Sequence, residues 1–178
     1  MVYSEVIRGK FVDLRSIGVE DAQFSYDIRA DERNCKTVGQ VAQSVDKQRQ
    51  FIEWQMQQPN DYYFVVMNKS GERIGLIGVY NIHDDIGELG REVNNGNPME
   101  SMEAEVLLAD FCREVLHLKK TCAVIYADNK KHISIQKKRG YEPLYETERN
   151  GISCLYYENM VTENDHAKIR ALLDKIEV

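Results

Sequence analysis

The residues that first suggest chemistry lie in one stretch, residues 88–116, read ELGREVNNGNPMESMEAEVLLADFCREVL. Residues 89–93 read as a short strand, Asn94-Asn95-Gly96-Asn97-Pro98 as a polar turn, and the residues after Pro98 as a helix. A strand running straight into a helix leaves unpaired backbone N–H groups at the turn, where the helix dipole is positive. Such a junction suits a phosphate-bearing ligand. A second reading fits the same residues. Asn97 is a good N-cap, Pro98 suits the first helical position and Glu100 falls at the third, so the helix start satisfies itself and sets Glu100 and Glu103 beside the turn. Just upstream, Glu88 and Glu92 stand four apart on the strand. Strict alternation puts them on one face, and a bulge at Gly90 separates them. His83 precedes them in a loop, with a titration range near neutrality.

Composition bounds what can hold these residues. The 178 residues fit one domain with a normal core plus at most a terminal appendage. A hydrophobic share of 43% and a charged share of 29% are those of a globular protein. The net charge of −6 argues against broad phosphate-backbone binding, so no nucleic-acid partner is expected. No basic segment followed by an apolar run opens the chain, and no apolar stretch approaches spanning length, so no membrane partner is expected either. The cysteines, Cys35, Cys112, Cys122 and Cys154, lie far apart without CxxC spacing; no metal site and a cytoplasmic protein with reduced thiols are the expectation. Cys112 and Cys122 sit in apolar segments and read as core.

The elements follow from pattern. A strand is predicted over 10–17, a helix from Glu20-Asp21 to Arg29, a polar loop over 30–42, and a helix from the N-cap Ser44 to Gln58. Residues 62–67 and 72–81 flank Asn68-Lys69-Ser70-Gly71 and read as a hairpin, with Gly75 and Gly78 leaving room for a close approach. Ala104, Leu108, Phe111 and Val115 form one stripe of the helix after Pro98. A strand over 121–126, a helix from the Asp128-Asn129 cap to Arg139 closed by Gly140, a hairpin around Arg149-Asn150-Gly151, and a last helix capped by Thr162, with Ile169, Leu172, Leu173 and Ile176 on its apolar side, complete the order. Strands and helices alternate around a mixed sheet, an α/β or α+β class.

This order, and several phrases in it, resemble the GNAT superfamily of N-acetyltransferases. The nearest resemblance is to the branch of ribosomal-protein N-terminal and bacterial aminosugar acetyltransferases. Arg8-Gly9-Lys10-Phe11-Val12-Asp13-Leu14-Arg15 is similar to that branch's first strand, and Val19-Glu20-Asp21-Ala22 to its helix start. Gly75-Leu76-Ile77-Gly78-Val79 is similar to its hairpin, Glu103-Ala104 to the helix after the cofactor loop, and Asp128-Asn129 with Lys137-Lys138-Arg139-Gly140-Tyr141 to its "N…eklGF" segment. The resemblance implies a mixed, mostly antiparallel central sheet flanked by helices. Residues 1–160 would form the acetyltransferase domain and 161–178 a C-terminal helical extension of it.

The resemblance also implies an enzyme that moves acetyl from acetyl-CoA, its co-substrate, to an amine by direct attack in a ternary complex. The protein then positions the thioester, takes a proton from the ammonium, and stabilises the carbonyl and leaving thiolate. On the strand that faces the acyl end in the family, Glu92 is the first candidate base and Glu88 the second, with His83 the third. Cofactor contacts fall at Val93, Gly96, Asn97, Met99, Ser101, Met102, Asn129 and His132; Asn129 reads equally as a plain N-cap. Arg29 and Glu32 fall where the acceptor is framed. Two departures stand out. The family's Q/R-x-x-G-x-G/A turn is here Gly96-Asn97-Pro98-Met99-Glu100-Ser101, and Gln136, which cannot act as a general acid, stands where a thiolate-protonating tyrosine is frequent. Segments 29–36 and Phe51-Ile52-Glu53-Trp54 resemble the aminosugar branch, so a small metabolite or nucleotide-linked aminosugar is favoured as acceptor over a protein N-terminus. The alternative is a GNAT-fold protein without turnover that serves as a binding or assembly module. A homodimer stays open, with residues 152–160 and the added helix as the candidate surface.

Overall fold

Residues 62–68 and 73–83 pair as the hairpin the sequence predicts, and this hairpin is the middle of the molecule. The computed structural model describes residues 1–35, 41–138, 140–164 and 166–176. In chain order the elements are β1 (Ile7–Arg8), β2 (Val12–Ser16), α1 (Ala22–Ala30), α2 (Val45–Gln57), β3 (Tyr62–Asn68), β4 (Arg73–His83), β5 (Ile86–Asn94), α3 (Pro98–Asp110), β6 (Lys120–Tyr126), α4 (Lys130–Lys138), β7 (Tyr145–Arg149), β8 (Ile152–Met160) and α5 (Ala167–Asp174). They build one sheet in the order β1-β2-β3-β4-β5-β6-β8-β7. Every neighbouring pair is antiparallel except β5–β6. This is the mixed, mostly antiparallel sheet that the element order implied.

Side chains alternate across β3, so its neighbours feed two cores. Tyr63 and Val65 pack with Ile17, Ala22, Ile28, Ile52, Leu76 and Val93, under α1 and α2. Phe64 and Val66 pack with Leu14, Ile77, Val79, Leu108, Phe111 and Cys112, under α3. The Phe111 ring meets Tyr3, Tyr62 and Phe64 edge-on, with centroids 5.0–5.2 Å away. Burying each large side chain contributes about 1.5–3 kcal/mol, which is why these two layers dominate the fold. Cys112 and Cys122 are both buried, as expected.

Turns and caps mostly follow the sequence. Ser44 Oγ accepts from Lys47 N at 3.2 Å and opens α2. Gly140, at φ +87°, ends α4, and the Tyr141 amide returns to Gln136 O. Asn150 and Gly151, at φ 52° and 76°, make the two-residue turn of the β7–β8 hairpin.

Four expectations need correction. The strand predicted over 10–17 is β2 and starts only at Val12, because the Glu103 carboxylate takes the amides of Lys10, Phe11 and Val12 and bends the chain there; the two-residue β1 precedes that bend, outside the predicted range. The helix after Pro98 ends its α-helical part at Asp110 and widens into a π-helical turn over Phe111–Val115. Thr162 does not cap the last helix, which begins at Ala167 behind His166 in a left-handed conformation (φ 61°). Leu172 is exposed on that helix, since α5 docks on α3 through the Arg170–Asp110 ion pair and buries only Leu173. Of the predicted 30–42 loop, residues 36–40 lie outside the described residues, as does Arg139.

Candidate active site

Parallel pairing between β5 and β6 is brief: Ile86 with Lys120, Gly87 with Thr121, and Glu88 with Cys122. Beyond that point β5 stays paired to β4 as far as Asn94, and β6 to β8 as far as Tyr126. Each therefore turns an edge without a strand partner, among the described residues, toward the other. The two halves of the sheet part into a wedge, closed at Glu88–Cys122 and opening toward α3 and α4. Edge amides and carbonyls in such a gap need partners, and an extended chain carrying amides supplies them.

Glu88 sits at the closed end with its carboxylate buried. It accepts from Tyr80 Oη at 2.9 Å and Asn81 Nδ2 at 2.9 Å, and pairs with Arg149 Nη2 at 2.8 Å. Burial, then the Glu88 charge, push the Tyr80 hydroxyl well above the usual phenol range, so it is a neutral donor here. Tyr80 lies across Gly90, where an added Cβ would come within 2.6 Å of the phenol oxygen. That contact explains the glycine. Cys122 faces Glu88 across the vertex, and burial raises its thiol, which keeps it protonated and a poor nucleophile.

Register decides which carboxylate shares this face. Gly90 pairs with Gly78 and Val93 with Leu76, so Arg91 and Glu92 together oppose Ile77 in a bulge. Arg91 takes the positive φ, 54°. Glu88 pairs with Tyr80 and Val93 with Leu76, so Glu88 and Val93 share the α1–α2 side and Glu92 falls on the other. The bulge that the sequence placed at Gly90 is one residue later. It aims Arg91 at Asp61, which it grips with contacts of 2.6 and 2.8 Å, beneath the Tyr80 ring 4.1 Å from the guanidinium.

The strand–helix junction has the self-satisfied form. Asn97 Oδ1 accepts from Met99 N (2.9 Å) and Glu100 N (3.1 Å), and Glu100 Oε2 accepts from Asn97 N at 2.7 Å. Gly96 N donates to Asn94 Oδ1, Asn95 N to Ile74 O and Ser101 N to Asn97 O. Pro98 has no amide proton. The amides a diphosphate would meet are thus already engaged, and a carboxylate stands among them. Val93 is buried in the core, which leaves only its backbone toward a ligand. Met99, Ser101 and Met102 line the first turn of α3, half-buried.

The other sequence candidates are spread more widely. Asn129 Oδ1 accepts from His132 N at 3.1 Å, the N-cap of α4. His83 is exposed at the β4–β5 turn, where β5–β6 pairing begins, away from the wedge opening; its Nδ1 lies 2.9 Å from Asn81 O. Arg29 is half-buried in the last turn of α1, and Glu32 is exposed in the loop after it. Gly75 and Gly78 accommodate their own neighbours, Val93 O and Tyr62 O, rather than a ligand. Tyr80, Asn81 and Arg149 carry no sequence motif that marks them as site residues. The one sequence signal near them is Gly90, a glycine inside a strand pattern. Among the described residues no group of three or more His, Cys, Asp or Glu forms a metal cluster, and no helix is long and apolar enough to cross a membrane.

Comparisons with known proteins bear on this geometry. The family model described as the acetyltransferase (GNAT) domain matches residues 12–142. A GCN5-related N-acetyltransferase from Brucella melitensis superposes with a TM-score of 0.79 at 13% identity, over 96% of this chain and 86% of that one. Apo FdhC, a nucleotide-linked sugar GNAT, gives 0.79 at 17% identity over 96% and 98%. A variant of the spermidine N-acetyltransferase SpeG from Vibrio cholerae gives 0.72 at 12% identity over 90% and 99%. No curated protein matches by sequence. A bulged strand, a parallel neighbour that splays from it, a helix starting at the mouth of the gap, and a family model spanning most of the chain agree: the chain belongs to the GNAT acetyltransferase family.

Proposed function

We propose that the protein is an N-acetyltransferase that moves acetyl from acetyl-CoA to a primary amine, by direct attack in a ternary complex. The observation that carries this reading is the β5–β6 wedge with the buried Glu88 carboxylate at its closed end. The unpaired edges of β5 and β6 would hold the amide-bearing arm of the co-substrate, which brings an activated thioester. Glu88 takes the proton from the incoming ammonium, and the freed nitrogen attacks the carbonyl carbon as the carbon–sulfur bond breaks. As the amide forms the nitrogen sheds a second proton, and since Gln136 cannot act as a general acid, that proton reaches the departing thiolate through water. Glu88 is favoured over Glu92 because the bulge leaves Glu88 on the α1–α2 side, where Tyr80 and Asn81 fix it, and turns Glu92 to the other side.

The acceptor we favour is a small metabolite or a nucleotide-linked aminosugar. Support comes from the resemblance of segments 29–36 and 51–54 to aminosugar enzymes, and from the fold shared with a nucleotide-linked sugar GNAT. Four unpaired cysteines support a reducing, cytoplasmic setting.

The capping box favours a second reading, a GNAT fold kept for binding or assembly without turnover. Thermal melting with acetyl-CoA separates the two. At one hundred times its dissociation constant a ligand adds about 2.7 kcal/mol; no shift at saturating co-substrate overturns the enzyme reading. With binding in hand, thiol release over a panel of amines is the direct test, and Glu88→Gln should melt normally and release none.

A further inference from the structure

The three donors on Glu88 are not equivalent. Tyr80 and Asn81 belong to β4, the strand next to β5 in the same half of the sheet. Arg149 comes from the last residue of β7, which is the far edge of the other half, and stands beside the Asn150-Gly151 turn. Its ion pair with Glu88 spans the parting between the two halves. The Glu88 side chain is 7% exposed and the Arg149 side chain 37%. A buried carboxylate needs a cation, and this one is solvent-connected and mounted on a hairpin end.

We propose that Arg149 is a specificity-determining residue which holds the amine subsite at Glu88 as a stand-in for the acceptor's ammonium. The acceptor enters by displacing it. A primary alkylammonium brings the same positive charge and N–H donors, so it replaces the guanidinium without leaving Glu88 uncompensated. A neutral arylamine or a hydroxyl does leave it uncompensated and is rejected. The subsite therefore selects acceptors that arrive as cations. Displacement also frees the β7–β8 hairpin from β5, which widens the way in on the α1–α2 side. The chemical use of this subsite rests on the acetyl-transfer reading above; its occupancy by a cation does not.

The test compares ethylammonium with tetramethylammonium, which has the same charge and no N–H, at matched ionic strength. Arg149→Ala should melt below the parent in tetramethylammonium and recover by about 2–4 °C in ethylammonium. The double variant Glu88→Gln with Arg149→Ala should not distinguish the two salts. An equal response of Arg149→Ala to both salts overturns the proposal. Hydrogen exchange on the unaltered protein gives a readout that needs no variant to fold. Ethylammonium should speed amide exchange in 145–153 relative to tetramethylammonium, and unchanged exchange overturns the stand-in role. An acetyl-CoA melting shift measured alongside keeps the two readings apart. A preserved shift without an amine response removes the stand-in alone, and an amine response without the shift removes acetyl transfer alone.

Discussion

Glu100 and Asn97 close on each other at the head of α3: the carboxylate accepts the Asn97 amide at 2.7 Å while the Asn97 side chain accepts the Glu100 amide at 3.1 Å. The pair stabilises the helix start and places a negative charge at the turn where the family resemblance sets the co-substrate's diphosphate. Glu100→Gln keeps the hydrogen-bonding shape and removes the charge. Screened Coulomb repulsion of this kind corresponds to about a three- to tenfold gain in affinity. Calorimetric titration with CoA should therefore show tighter binding by the variant, more so at low salt. Equal affinity at both salt levels would mean that the diphosphate rests elsewhere.

Gly90 makes a sharper test of the Tyr80–Glu88 arrangement. A Cβ at Gly90 would stand 2.6 Å from the Tyr80 hydroxyl oxygen, so Gly90→Ala must push the phenol off Glu88. Overpacking of this sort costs about 1–3 kcal/mol, and acetyl transfer should fall with it. Adding Tyr80→Phe removes the clashing oxygen and should restore much of the lost melting temperature but not the transfer rate. Full recovery of rate in the double variant would remove Tyr80 from the site.

Glu103 ties α3 to the β1–β2 bend by accepting the amides of Lys10, Phe11 and Val12 at 2.8, 2.6 and 2.7 Å. Glu103→Ala leaves three donors without their acceptor, in a setting where Val12 is fully buried. The expected cost is about 2–4 kcal/mol in urea unfolding. Since the clamp lies on the α3 side, Glu103→Ala should weaken the fold with little change in the affinity for amines.

Asp21 sets an acid limit on stability. Burial alone would raise its carboxyl, but hydrogen bonds from Arg15, the Gly18 amide and Arg73 outweigh it and hold the group below the usual carboxylate range. A carboxylate depressed in the folded state contributes stability above its unfolded value, about pH 3.9, and loses it as pH falls through the folded one. Stability measured by urea unfolding should therefore drop steeply below about pH 4. Asp21→Asn should be less stable at neutral pH and show a shallower acid limb. An unchanged limb would assign the acid loss to other carboxylates.

Residue pattern by itself determined the elements and much of their punctuation. The hairpin around residues 68–71, the Ser44 and Asn97 caps, the Gly140 stop and the Asn150-Gly151 turn are local devices, written within a few residues of where they act. The same locality made the capping box at Asn97–Glu100 legible, and the structure has it. What only the tertiary structure decided was face and partner. One extra residue in the bulge, Arg91 rather than Gly90, reverses the side on which every later β5 residue falls, and this parts Glu92 from Glu88. Arg149 meets Glu88 from sixty-one positions away along the chain and from the far edge of the sheet, through a hairpin whose placement no local pattern encodes. Caps and turns are contests between neighbouring backbone groups, so a short window of sequence settles them. A buried carboxylate chooses its cation from whatever the completed sheet brings within reach.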